Sequence, residues 1–286
     1  MNNGTRVGVA GLGLIGGSLC KAIKERAGLY VLGADKSGEV VAAALLDGAI
    51  DAPLHDETLG ECDIVLVALY PQSVVDYVRE HAARMKRNAI VVDMAGVKRR
   101  VCRELSAFCA GQGLRFIGGH PMAGIEKSGY AHSFAGLFAG AAMLLCRDAY
   151  TDENALKEAA SLFSGLGFGE VKAVDPGEHD AVIAYTSQLA HITSSAYVKS
   201  PTMRKRKSFS AGSYKDLTRV AKLHAGMWTE LFLENRDNLL FEIDALTGHL
   251  KEYREALAAG DGDRLYQLLD DGARRKIEDE EREREE

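Results

Sequence analysis

Two stretches of the chain hold residue types whose spacing suits chemistry. The first is Gly11-Leu12-Gly13-Leu14-Ile15-Gly16, a GxGxxG pattern that runs on into Gly17 and Ser18. Gly11 permits a tight turn, Gly13 lets backbone approach a pyrophosphate, and Gly16 lets a helix sit close on the preceding strand. The free N–H groups and positive dipole at the head of that helix, at Leu14 and Ile15, favour phosphate. The pattern alone is weak. Here it follows an apolar strand, opens a helix, and is followed by a second strand ending in Asp35. A carboxylate at that place accepts hydrogen bonds from ribose hydroxyls and repels a 2′-phosphate. The expected cofactor is therefore NAD, bound by Gly11, Gly13, Leu14, Ile15, Gly16 and Asp35, although Lys36 next door pulls slightly the other way.

The second stretch is GGHPMAGIEKSG, residues 118 to 129, with His120 between Gly119 and Pro121. A bound nicotinamide takes a hydride, and a base usually takes the proton left on oxygen. Histidine suits that task because its pKa lies near neutral pH. The chain has eight histidines, and most are expected to be scaffold. His120 differs by its position at the end of the run RFIGG, expected to be a strand of the main sheet, among small residues that leave room for a substrate. His191 lies one helical turn after Ser187, where a core histidine would look the same. His179, beside Asp180 at a helix start, fits capping as well as function. Lys215, Arg219 and Lys222 cluster in SFSAGSYKDLTRVAK, residues 208 to 222. They form either a solvated basic face or a carboxylate clamp, for which the planar fork of arginine is suited.

The elements that must hold these groups follow from apolar periodicity. RVGVAG, YVLGAD, DIVLVALY, NAIVVDMAG, RFIGG and AMLLCR read as strands, separated by helical segments. Continuously apolar strands alternating with helices predict a Rossmann-like, doubly wound parallel sheet of the α/β class over residues 1–150. Residues 151–286 are expected to be mostly α-helical, a substrate and dimerisation domain. In it 176–200 reads as one helix of about six turns, followed by helices from about 224 to 249, 250 to 259 and 262 to 284. Long apolar helices of this kind predict a homodimer.

Composition closes off other classes. The net charge of -6 resides largely in the acidic tail EDEEREREE, so nucleic-acid and membrane partners have no electrostatic support. Cys20, Cys62, Cys102, Cys109 and Cys146 are scattered, without a CxxC pair, and read as reduced core thiols of a cytoplasmic protein with no metal framework. The N-terminus has no signal-peptide pattern, and no apolar run has the ~20 residues of a membrane span.

VAGLGLIGGSL, DMAGVK, GGHPMAGIEKSG, EHDAVIAYTSQLAH, SYKDLTRVA and MWTELFLENRDNLL stand in the order they take in prephenate dehydrogenases. Together they make the chain resemble that family, which includes arogenate and cyclohexadienyl dehydrogenases. The resemblance implies oxidative decarboxylation of prephenate to 4-hydroxyphenylpyruvate in tyrosine biosynthesis, with arogenate as the alternative substrate. It implies that His120 takes the proton of the C4 hydroxyl, that His191 is a second active-site histidine, and that Arg219 holds a substrate carboxylate. Lys215, Trp228 and Glu126 match segments near the substrate, and Ser187 and Gln188 stand where they can influence its choice. Two departures are visible. Gly96 stands where the family often has a serine, and SQLAH lacks the first histidine of the frequent SHLPH.

Two other functions compete. A β-hydroxyacid dehydrogenase would use a lysine such as Lys172 in GLGFGEVK, but that segment ends a helix and no Asn-Asn pair follows. A non-catalytic NAD-binding subunit would not need both His120 and Arg219.

Overall fold

The structure is a computed structural model and describes residues 4–285. β1 (Arg6–Ala10), α1 (Leu14–Ala22), β2 (Tyr30–Ala34), α2 (Gly38–Leu46), β3 (Ala52–Pro53), α3 (Asp56–Leu59), β4 (Ile64–Val67), α4 (Pro71–His81), β5 (Ile90–Asp93), α5 (Arg99–Gly111) and β6 (Arg115–Ile117) alternate along the chain. Their strands form one parallel sheet in the order β3-β2-β1-β4-β5-β6. Successive side chains of each strand enter different cores. Val7, Val9, Ile64, Leu66, Ile90 and Val92 pack in one, while Val65, Val67 and Val91 pack in the other with Val74 of α4 and Leu105 of α5. Covering both faces is why these strands carry apolar residues without alternation.

RFIGG does not form one strand ending at the histidine. β6 stops at Ile117, and after Gly118 the chain enters a second sheet. There β7 (Gly119–Pro121) pairs antiparallel with β8 (Ala142–Cys146), which pairs in parallel with β9 (Glu170–Val174). His120 is thus the middle residue of β7, opposite Leu144, and not the end of a main-sheet strand. AMLLCR likewise belongs to the second sheet. Close packing at the crossing requires both glycines: a Cβ on Gly118 would stand 2.6 Å from Cys102 Sγ, and one on Gly119 2.5 Å from the Asp93 carbonyl oxygen.

α6 (Glu153–Gly165) is capped by Asp152, whose Oδ1 accepts from the Ala155 N–H at 2.7 Å. Its Ala155, Ala159, Leu162 and Phe163 enter the same core as Val7 and Val9, so residues 151–174 pack with the sheets. Only helices follow: α7 (Pro176–Ile183), a wider π segment Ala184–Leu189, α8 (Ala190–Tyr197), α9 (Gly212–Thr218), α10 (Ala225–Glu234), α11 (Arg236–Ala259) and α12 (Gly262–Glu285). The expected long helix over 176–200 is therefore interrupted by π geometry. The expected break near residue 249 is absent and falls at Asn235. There the backbone leaves helical geometry (φ -113°, ψ 27°), and the side-chain amide donates to the Asp180 carbonyl at 2.7 Å and to Gln188 Oε1 at 2.9 Å.

The chain divides into two compact units, up to Asn235 and from Arg236 onward. The second is a helical hairpin. Gly260 takes φ +64° to end α11, and Asp261 Oδ1 accepts from the Arg264 N–H at 2.9 Å to begin α12. The Tyr253 hydroxyl donates to the Leu268 carbonyl at 3.0 Å across the pair. No described helix is long and apolar enough to cross a membrane. All five cysteines are buried free thiols.

Lys98 is wholly buried. Its ammonium pairs with Asp93 and donates to the Gly119 carbonyl at 2.7 Å. Burial pushes the Asp93 carboxyl up, while Lys98 and the N–H groups of Ala95 and Gly119 oppose that rise. Removing one partner of such a pair costs about 3–5 kcal/mol, whereas replacing both by apolar groups is often near neutral. Lys98→Met should therefore lower unfolding free energy by about that amount in urea titration. Lys98→Met with Asp93→Leu should recover much of it. A single variant as stable as the parent would contradict this assignment.

Candidate active site

The glycine turn sits at the C-terminal end of β1. Gly11 has φ +88°, and a Cβ there would stand 2.4 Å from the Ala68 carbonyl oxygen. A Cβ on Gly16 would stand 1.8 Å from the Gly11 carbonyl oxygen, so α1 abuts the turn itself. Gly13 differs, since a Cβ there meets nothing within 4 Å. That open side, at a helix head with no side-chain cap, leaves the N–H groups of Leu14 and Ile15 for an anion. Asp35 Oδ2 accepts from the Leu12 N–H at 2.9 Å and Oδ1 from the Ser37 N–H at 3.0 Å. The carboxylate thus braces the turn and keeps further lone pairs for a ribose.

β7 carries His120 beside the end of β5, because the Gly119 N–H donates to Asp93 Oδ1 at 3.2 Å. The ring is half-buried. Its Nδ1 lies 2.8 Å from His179 Nε2, and His179 Nδ1 lies 2.8 Å from Asp180 Oδ1. Asp180 also accepts from the Lys98 N–H at 2.7 Å and the Arg99 N–H at 2.9 Å, at the head of α5. Burial pushes the His120 pKa well below the ordinary imidazole value, with His179 and Lys98 adding to the shift. His120 is neutral at pH 7. A Cβ on Gly96 would lie 3.8 Å from His120 Nε2 and 3.4 Å from Leu231 Cδ2, so position 96 adjoins the ring, with Leu231 of α10 beside it.

His191 donates from Nδ1 to the Ser187 carbonyl at 2.8 Å and packs on Trp228, ring centroids 4.0 Å apart. Burial lowers its pKa, partly offset by that bond and reinforced by Arg219. Trp228 and Leu231 stand three residues apart on α10, which links the His191 and His120 neighbourhoods. Arg219 is exposed and pairs with Glu126 at 2.6 Å, and that bond lowers the Glu126 pKa. Lys215 is exposed one turn before Arg219.

Gln188 requires correction as a substrate contact. It is 1% exposed, its Oε1 accepts from Asn235, and its Nε2 donates to the Leu231 carbonyl at 3.3 Å. It braces α10 and has no free polar end. Sequence reading also missed Lys98, Asp93 and Asn235. A lysine five residues after a strand carries no signal of burial. His179, beside Asp180, fits capping as well as function in the sequence, but the cap of α7 is Asp175.

A parallel sheet with this strand order, a glycine turn after β1 and a carboxylate after β2 define a dinucleotide-binding protein of the Rossmann class. Residues 19–171 match the model of the prephenate dehydrogenase nucleotide-binding domain, and residues 175–271 match that of the prephenate dehydrogenase dimerization domain. The chain belongs to the prephenate dehydrogenase family, with an NAD-binding Rossmann domain. It is 30% identical over 270 residues to the prephenate dehydrogenase of Bacillus subtilis, covering 91% of this chain and 72% of that protein. It is also 30% identical over 284 residues to the cyclohexadienyl dehydrogenase of Zymomonas mobilis, covering 95% and 94%. The crystal structure of A. aeolicus prephenate dehydrogenase, in complex with hydroxyphenyl propionate and NAD+, superposes with a TM-score of 0.85 at 26% identity, covering 96% and 98%.

The depressed His120 pKa sets the pH response of any step in which that ring accepts a proton. The neutral form is the active one, so kcat/KM should hold steady as pH falls through the ordinary imidazole range. It should drop only below that range. An acidic limb centred at or above pH 6.5 would contradict a desolvated His120.

Proposed function

We propose that the chain catalyses the NAD-dependent oxidative decarboxylation of prephenate to 4-hydroxyphenylpyruvate, a step toward tyrosine. NAD+ supplies the hydride acceptor for C4 of the cyclohexadiene ring. The C4 hydroxyl gives its proton to His120 Nε2, C4 becomes the carbonyl carbon, and carbon dioxide leaves C1. Proton redistribution then gives the phenol. Aromatisation supplies the driving force, so the chain chiefly orients the ring and removes one proton.

The observation that carries this reading is His120: neutral, half-buried, and engaged at Nδ1 by His179. Arg219 takes a substrate carboxylate by exchanging its bond to Glu126 for one to the ligand. Lys215 adds positive charge to that approach. His191, with Nδ1 committed to the Ser187 carbonyl, offers Nε2 as an acceptor beside Trp228. Gly13, the α1 head and Asp35 hold the cofactor, with Asp35 selecting NAD over NADP.

The test is to assay the full chain with prephenate and arogenate, each with NAD+ and NADP+. Prephenate with NAD+ should give the highest kcat/KM, and His120→Asn should lower it about 10²–10⁴-fold with NAD binding intact. Turnover of arogenate alone would replace the substrate, and no reduction with either would remove the reading.

Two copies associate, we further propose, through the helical region matched by the dimerization-domain model. Leu250 and Leu257 lie two turns apart on one face of α11 and are 59% and 65% exposed, and Phe241 is 71% exposed. Apolar surface of this kind suits an isologous interface. Leu250→Asp with Leu257→Asp should shift sedimentation from dimer to monomer. An unshifted dimer would exclude this face.

A further inference from the structure

We propose that His179, held by Asp180, is a positioning residue that fixes His120 as the Nδ1–H tautomer and so leaves the lone pair on Nε2. The inference rests on His120 being the base. It follows from counting donors along one buried chain. The Lys98 and Arg99 N–H groups can only donate, and they occupy both oxygens of Asp180 at 2.7 and 2.9 Å. A carboxylate so engaged accepts from His179 as well, which puts the His179 proton on Nδ1. His179 Nε2 is then an acceptor, so the His120 nitrogen 2.8 Å away carries a proton. The second nitrogen of His120 is left as the acceptor a hydroxyl proton requires.

No other described group sets this tautomer. Among the described residues His179 alone hydrogen-bonds the His120 ring. Gly96, beside Nε2, has no side chain. The nearby Lys98 ammonium is committed to Asp93 and to the Gly119 carbonyl. The His179 and Asp180 side chains are 0% and 1% exposed, so water does not compete for the relay. A free imidazole prefers its proton on Nε2, the tautomer that could not act. The relay reverses that preference before substrate arrives.

The decisive measurement is the ¹⁵N spectrum of His120 in the unmodified full chain, assigned by difference from His120→Asn. The proton should be on Nδ1. A proton on Nε2 overturns the relay, and this readout requires no folded variant at 179. Kinetics give the second arm. His179→Leu should lose about 10²-fold or more in kcat with NAD binding unchanged, while His179→Gln, which keeps an acceptor, should stay within about tenfold of the parent. Parent-like turnover in His179→Leu overturns the relay alone if His120→Asn is inactive. Parent-like turnover in His120→Asn overturns the base assignment and the relay together.

Discussion

The Lys98 ammonium, sealed from water, is the interaction on which the site geometry depends. An unpaired charge there would be prohibitively costly, so its partners are held firmly in place. Those partners are Asp93 at the end of β5 and the Gly119 carbonyl at the start of β7. Asp93 in turn accepts from the Gly119 N–H. One buried lysine therefore joins the main sheet to the second sheet at the residue before His120. Its backbone N–H continues the connection to Asp180.

A second constraint is built around that stitch. Asp180 meets the head of α5, where two N–H groups lack helical partners, and this fixes the middle of α7 against α5. Asn235 carries the contact onward by bonding the Asp180 carbonyl and Gln188. That bond ends α10 and brings Leu231 beside Gly96 and Trp228 against His191. The polar interior is thus one connected network from β5 to α10, and the histidines take their orientations from it.

The nucleotide half was legible because its signals are local. A glycine with positive φ, a helix pressed on a turn and strands buried on both faces each impose a residue type within a short stretch. Helix ends were read less well, since the break at Asn235 comes from side-chain bonds to residues 47 and 55 positions away. RFIGG misled because a strand that changes sheets has the same apolar pattern as one that continues. Gln188 misled because a polar residue beside a candidate histidine looks the same facing substrate or facing α10.

By itself the sequence determined the doubly wound sheet, the glycine turn with its carboxylate, and His120 as the histidine to watch, since periodicity and turn chemistry are properties of neighbours along the chain. Only the tertiary structure decided that His120 lies within β7 of a second sheet, that a buried lysine stitches it to β5, and that His179 stands at its Nδ1. Those facts depend on residues 21 to 82 positions apart meeting where water is excluded, and there every donor must find an acceptor.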